Sequence, residues 1–364
     1  MEYVLTYADR GFSGNPYATG ADRTYSLDAL PQEFPTLGTG DYRNIALDIK
    51  NSRGIESTNL LYKKHEIRKG KYALPGLPAG WADEAEAQTL EIVLADENAG
   101  MEVHLLYGVL EEVDVITRSA VIRNIGTETV TSEKAAAACL DFVSGNYDVL
   151  RFYGRHAMER NLERTPLGHG TICFGSRRGT SSHQYNPAVI LAEQGTTEEA
   201  GNCYGMLMVY SGNFFCEAER DQYNQTRLLM GLNDELFSYP LAAGDTFTVP
   251  EVILSYSQNG LSALSQQYHN CIRNHVCRSK YVHMSRPVLI NSWEAAYFDF
   301  TGETIVNLAK EAASLGIDMV VMDDGWFGKR NDDHAGLGYW FCNMEKLPCG
   351  INGLSRKVHE EGMM

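Results

Sequence analysis

Val320-Val321-Met322-Asp323-Asp324-Gly325-Trp326-Phe327-Gly328 is an apolar run that passes directly into two adjacent carboxylates, a glycine and an indole. An apolar run without polar alternation is the pattern of a strand covered on both faces. Upstream of it, Ile305, Leu308, Ala309, Ala312 and Leu315 recur at helical spacing, opened by Thr301-Gly302-Glu303-Thr304 and closed by Gly316. Before that helix stands a second unalternated run, Arg286-Pro287-Val288-Leu289-Ile290-Asn291-Ser292-Trp293-Glu294. Strand, helix and strand within roughly forty residues form a βαβ unit, whose strands must be parallel and whose crossover should be right-handed.

Ligands of parallel β/α architectures bind at the C-terminal ends of the strands. Here the first run ends in Asn291, Trp293 and Glu294 and the second in Asp323, Asp324 and Trp326. A carboxylate can accept from two neighbouring sugar hydroxyls, and an indole offers an apolar face to the C–H side of a pyranose. Adjacent residues of an extended chain point apart, so Asp323 and Asp324 suit binding better than acid and base work across one bond. On residue types alone three uses stay open: ligand binding, capping of a following helix, and a metal site with Asp332 and Asp333.

From the start to about Pro250 the chain is a succession of short segments rich in Val, Ile, Leu, Thr and Tyr, broken by Gly, Asn, Asp and Pro. Leu90–Leu94, Met101–Tyr107, Val113–Thr117, Gly205–Tyr210 and Val252–Tyr256 carry strand patterning, and many short strands with frequent turns predict a large antiparallel β-sandwich. The alanines of Ala135–Phe142 leave that segment open between strand and helix. Two polar loops, Arg177–Pro187 and Ser211–Asp221, read first as loop side chains satisfying loop backbone, with Arg177 and His183 the candidates for more. From Gly260, Leu261, Leu264, Tyr268 and Ile272 predict a helix of about four turns, on which His269 and His275 serve packing or surface. The expected domains are a sandwich over 1–256, a helical connector over 257–285 and an α/β segment over 286–364.

A net charge of −16 argues against nucleic acid or an anionic membrane as partner, since both require a basic face. The eight cysteines form no C-x-x-C pair, and Met1-Glu2-Tyr3-Val4 lacks the basic and apolar regions of a signal peptide, so a reduced cytoplasmic protein is expected. No apolar run is long enough to span a bilayer.

Met322-Asp323-Asp324-Gly325-Trp326-Phe327-Gly328-Lys329-Arg330-Asn331-Asp332-Asp333 resembles the signature segment of the α-galactosidases of glycoside hydrolase family 36, and Arg286–Ala295 resembles the segment that opens their barrel. Leu30-Pro31-Gln32-Glu33-Phe34-Pro35, Gly38-Thr39-Gly40-Asp41-Tyr42-Arg43, Arg178–His183 and Tyr210–Phe214 are similar to motifs of the family's N-terminal domain. The resemblance implies a β-supersandwich followed by a (β/α)₈ barrel, and retaining hydrolysis of terminal α-linked galactose from melibiose- and raffinose-type oligosaccharides, without metal or cofactor. It implies that Asp323 and Asp324 hold galactose hydroxyls, that Trp293 and Trp326 are aromatics of the sugar site, that Asp41 and Arg43 are structural or subunit-contact residues, and that a homo-oligomer is possible, many full-length relatives being tetramers. Where the family usually has Gly-Asp-Trp, this chain reads Gly338-Tyr339-Trp340.

A complete barrel takes about 250 residues. After Pro287 the chain has room for two strands, two helices and the start of a third strand, with Ser355–Gly362 expected as the second helix and Met363-Met364 as the first residues of the third strand. The family's nucleophilic Asp follows a Lys-Trp motif on a later strand, and its acid/base Asp lies later still in a glycine-rich motif. Neither motif occurs in these 364 residues. The expectation is an incomplete barrel with no catalytic carboxylate and no turnover by this chain alone; the alternative is a non-catalytic carbohydrate-binding or assembly module.

Overall fold

The structure, a computed structural model, describes residues 30–235 and 237–364; the signal-peptide expectation at Met1–Val4 lies outside them. The described residues form two compact units that divide between Arg278 and Ser279.

The first unit is the expected sandwich. Its six-stranded sheet runs in the order β1 (Leu47–Lys50), β6 (Val130–Phe142), β13 (Thr226–Leu232), β12 (Phe214–Arg220) and β9 (Gly170–Ser176), with β14 (Tyr239–Leu241) also paired to β6. The ten-stranded sheet runs β2 (Leu61–Lys69), β3 (Gln88–Asp96), β4 (Met101–Leu110), β5 (Val115–Asn124), β16 (Val252–Ser257), β11 (Cys203–Met208), β10 (Tyr185–Glu193), β7 (Tyr147–Arg155) and β8 (Met158–Pro166), with β15 (Thr246–Thr248) also on β5. Period-two alternation sends Met101, Val103 and Leu105 of β4 into one core with Leu47 and Ile49 of β1, Phe214 of β12 and Leu228 of β13.

Ala135–Phe142 is strand, within β6. Ala135, Ala136, Ala137, Ala138 and Cys139 are all fully buried, so both faces of the strand are covered. Burial and pairing on two sides outweigh the helix propensity of alanine, and the small side chains permit close approach. At the bulge opposite them, a Cβ on Gly231 would lie 2.4 Å from the Ala135 carbonyl oxygen.

A buried ionic cluster ties the 30–44 segment to this sheet. Arg227, with no exposed side-chain surface, pairs Asp41 at 2.8 Å and Asp141 at 2.7 Å, and Arg43 pairs Asp41 at 2.8 Å. The two polar loops bond each other: Ser181 N donates to Ser211 O at 2.7 Å and Gly179 N to Asn213 Oδ1 at 2.7 Å. Arg177 forms an exposed ion pair with Glu235, and His183 is exposed.

Helix α1 (Gly260–Cys271) continues into a π turn over Ile272–Val276 and seats Leu264 against Leu150, Ala192 and Cys203. His269 is exposed, while His275 is buried with Nδ1 3.1 Å from the Trp81 carbonyl oxygen. No described helix is long and apolar enough to cross a membrane.

The second unit is α/β. Strands β17 (Leu289–Asn291) and β18 (Met319–Val321) pair in parallel, Asn291 opposite Val321. Between them lie a single helical turn, α2 (Trp293–Ala296), and helix α3 (Gly302–Ser314), opened by the reciprocal Thr301–Thr304 capping box and followed by Gly316 at φ +79°. Helix α4 (Gly350–Glu360) begins five residues before the expected Ser355 and packs Leu354 and Val358 with Ile305, Ala309 and Ala312 of α3. Met364 exchanges backbone hydrogen bonds with Asp318 and Val320, as a third strand beside β18 would. The first strand is shorter than its apolar run, and Val288 and Leu289 are 60% and 53% exposed rather than covered. Ser292, whose helical backbone turns the chain into α2, ends the strand at Asn291, and of this run Ile290 is the residue that packs with the helices' cluster.

Candidate active site

The site residues stand on the two loops that leave the parallel strands. On the first, Asn291 ends β17, its Oδ1 accepts from Trp293 N at 2.7 Å, and the chain turns into α2. Trp293 then sits edge-to-face against Tyr297 (centroids 5.2 Å, 83°) and Phe298 (5.0 Å, 89°). On the second, Met322 leads from β18 into Asp323 and Asp324. Gly325 turns the chain at φ +95°, where a Cβ would meet Phe298 at 3.1 Å and Phe300 at 3.3 Å.

The two strand ends meet through Asp323. Its Oδ2 accepts from Asn291 Nδ2 at 2.6 Å, and its backbone N donates to the buried Ser292 Oγ at 3.1 Å. Asp324 points to a different partner, as neighbouring residues of an extended chain should. Arg330 Nε reaches both of its oxygens at 3.0 Å and Nη2 reaches Oδ2 at 2.8 Å, while Gly325 N donates to Oδ1 at 2.7 Å. These bonds, above all those from Arg330, hold the Asp324 carboxyl below the usual carboxylate range against the opposing effect of burial. The same pairing raises Arg330.

Trp326 is half-buried against the second core cluster and Phe327, which in turn contacts Trp340 at 4.6 Å between centroids. The described contacts thus connect Asp323, Asp324 and Trp293 through Asn291, Arg330 and Phe298, and lead Trp326 instead toward Phe327. The aspartates run into a turn and no helix, so helix capping is not their use. Asp332 and Asp333 are exposed, and among the described residues no group of three or more His, Cys, Asp or Glu side chains is placed to hold a metal.

Sequence reasoning missed Arg330, Phe298 and Lys346. Lys346 Nζ donates to the carbonyls of Phe298 at 2.7 Å and Gly325 at 3.1 Å, bracing both loops at once. Burial pulls its ammonium below the ordinary lysine value. The only sequence signal for Arg330 was its place six residues after Asp324 in the same polar segment. Tyr339, which stands where a carboxylate was expected, is 60% exposed.

Comparison with known proteins assigns the lineage. The profile for the glycosyl hydrolase family 36 N-terminal domain matches residues 5–242, and the melibiase profile matches residues 246–364. The chain is 81% identical, over 100% of its length, to a bifunctional alpha-galactosidase/sucrose kinase, AgaSK, of Mediterraneibacter gnavus, and 46% identical over 98% to alpha-galactosidase AgaA of Geobacillus stearothermophilus. It spans 39% and 49% of those two proteins, so it covers about half the length of such relatives or less. The galactosidase domain of AgaSK superposes with a TM-score of 0.92 over 100% of this chain and 50% of that one. A structure of AgaA in complex with stachyose also superposes with a TM-score of 0.92, at 46% identity over 98% of this chain and 49% of that one. The sandwich followed by the opening βα units of a catalytic barrel is therefore the family architecture, and the chain belongs to glycosyl hydrolase family 36.

Proposed function

We propose that this chain carries the galactose-recognition part of a retaining α-galactosidase acting on melibiose- and raffinose-type oligosaccharides. The observation that carries the reading is the Asn291–Asp323 hydrogen bond of 2.6 Å, which joins two strand ends into one floor bearing two carboxylates and Trp293. Asp323 and Asp324 take sugar hydroxyls, and Trp293 and Trp326 supply apolar faces. The solved complexes of AgaA with stachyose and with raffinose support this ligand class. Turnover by the 364-residue chain is not part of the proposal, because no residue in it matches the family's nucleophile or acid/base motif.

Titrating the purified chain with galactose by calorimetry tests the reading. Binding should be abolished by Asp323→Ala, and a chromogenic α-galactoside should remain uncleaved. Galactose binding untouched by Asp323→Ala would place recognition elsewhere and favour a sandwich-borne carbohydrate module. Hydrolysis that disappears with Asp323→Ala would overturn the expectation of no turnover.

Self-association and a reducing, cytoplasmic setting belong to the same proposal. The edge strand β2 is exposed at all nine residues, including Leu61, Tyr62 and Ile67, which fits pairing with a second copy. All eight cysteines are free thiols, which fits a reducing compartment.

A further inference from the structure

One guanidinium links the two strand-end loops. Arg330 is 6% exposed, and its planar group is held from three directions. Nε and Nη2 fork onto the Asp324 carboxylate at 2.8 to 3.0 Å, Nη1 donates to Ala335 O at 2.8 Å, and the group lies over the Phe298 ring, 5.4 Å from its centroid. Phe298 in turn meets Trp293 edge-to-face at 5.0 Å. Asp324 belongs to the loop after β18 and Trp293 to the loop after β17, so a carboxylate and an indole from different strands share one support. Planarity is essential to that support. A lysine at this position could offer a point charge to Asp324 but neither the two-toothed fork nor the flat face that covers Phe298.

We propose that Arg330 is the positioning residue of the site: it holds the Asp324 carboxylate in one orientation and, through Phe298, sets the angle at which Trp293 meets a sugar ring. The role of the sugar rests on the galactose reading above; the coupling of the two side chains does not. Arg330 itself donates to protein groups on each side and is not a sugar ligand. Its effect on binding is exerted through Asp324 and Trp293.

The test uses the whole 364-residue chain with ¹³C-labelled aspartate carboxyls, the Asp324 resonance being identified by its loss in Asp324→Asn. Tryptophan emission is followed in parallel, with Trp293 identified by Trp293→Phe, and galactose affinity is measured by calorimetry. In Arg330→Lys, Asp324 should titrate at higher pH, Trp293 emission should shift, and galactose should bind about tenfold more weakly. In Phe298→Leu, the Asp324 titration should stay in place while Trp293 emission shifts. A folded Arg330→Lys chain with unchanged Asp324 titration and unchanged Trp293 emission would overturn the proposal. Should Arg330→Lys fail to fold, Phe298→Leu still decides, since unaltered Trp293 emission there breaks the proposed link. A wild-type chain that binds no galactose would remove the ligand reading, while the carboxyl and emission measurements continue to judge Arg330.

Discussion

The turn after β18 depends on one atom that is missing. Gly325 adopts φ +95°, a conformation L side chains rarely take, and it lies against Phe298, Phe300 and the Arg330 carbonyl. Gly325→Ala therefore faces backbone strain and a close contact at once. Its expected cost is about 1–3 kcal/mol in the second unit, read as a lowered denaturant midpoint of that unit's transition. Because the added methyl group would press on the ring that seats both Arg330 and Trp293, the substitution should also shift tryptophan emission. A variant as stable as wild type with the same emission would show that the turn is not confined in this way.

Among elements, β6 and β13 bear the highest electrostatic stakes. Arg227 on β13 is enclosed with Asp141 of β6 and with Asp41, and Arg43 shares the neutralisation of those carboxylates. Arg227→Met should cost about 3–5 kcal/mol, because it leaves buried carboxylates short of a counter-charge, and thermal unfolding of the sandwich would measure it. Burial pushes the Asp41 carboxyl up, but bonding and attraction from Arg43 and Arg227 outweigh it, so its folded value lies below the ordinary carboxylate range. A depressed folded value means that the contribution of Asp41 is fully present above the ordinary carboxylate pH and is lost as pH falls through the lower folded one. Wild-type stability should drop in that acid window, and the gap between wild type and Arg227→Met should narrow there. Little of this cluster could be read from the chain. Arg227 stands 86 positions from Asp141 and 186 from Asp41, and only the non-sequential strand order brings them together. The strand-end pair Asp323–Asp324 was legible because its signal is local: an unalternated run, two carboxylates and a glycine. Phe298 and Lys346 were not, because their meeting at the Gly325 turn depends on how two loops fold against each other. Ala135–Phe142 stayed open between strand and helix for the same reason, since propensity is local and the burial that decides for strand is not.

At the scale of the whole chain, the two units are unequal in what holds them. The sandwich core draws fully buried side chains from both of its sheets, whereas the second unit gathers Phe300, Ile305, Ala309, Ala312, Leu347, Leu354, Val358 and Met363 around a two-stranded sheet. Val288, Leu289, Leu315, Leu337, Trp340 and Phe341 remain more than half exposed in that unit, and apolar area left in water contributes nothing to folding. Small cores of this kind are marginal, so the second unit should open locally at lower free energy than the sandwich. The segment from Cys277 to Val288 lacks helix and strand and is mostly exposed, and it contains Arg278, Lys280 and Arg286. Brief trypsin treatment of the native chain should therefore cut first after Arg278 or Lys280 or within the second unit, leaving a sandwich fragment that resists further digestion; Arg286 is spared because Pro287 follows it. Intact-mass measurement of the earliest products would identify the cuts. Galactose, if it binds across both strand-end loops, should slow cleavage inside the second unit, because a ligand that binds only the folded form shifts the opening equilibrium. First cuts inside the sandwich strands, or equal resistance of the two units, would contradict the ranking of their stabilities.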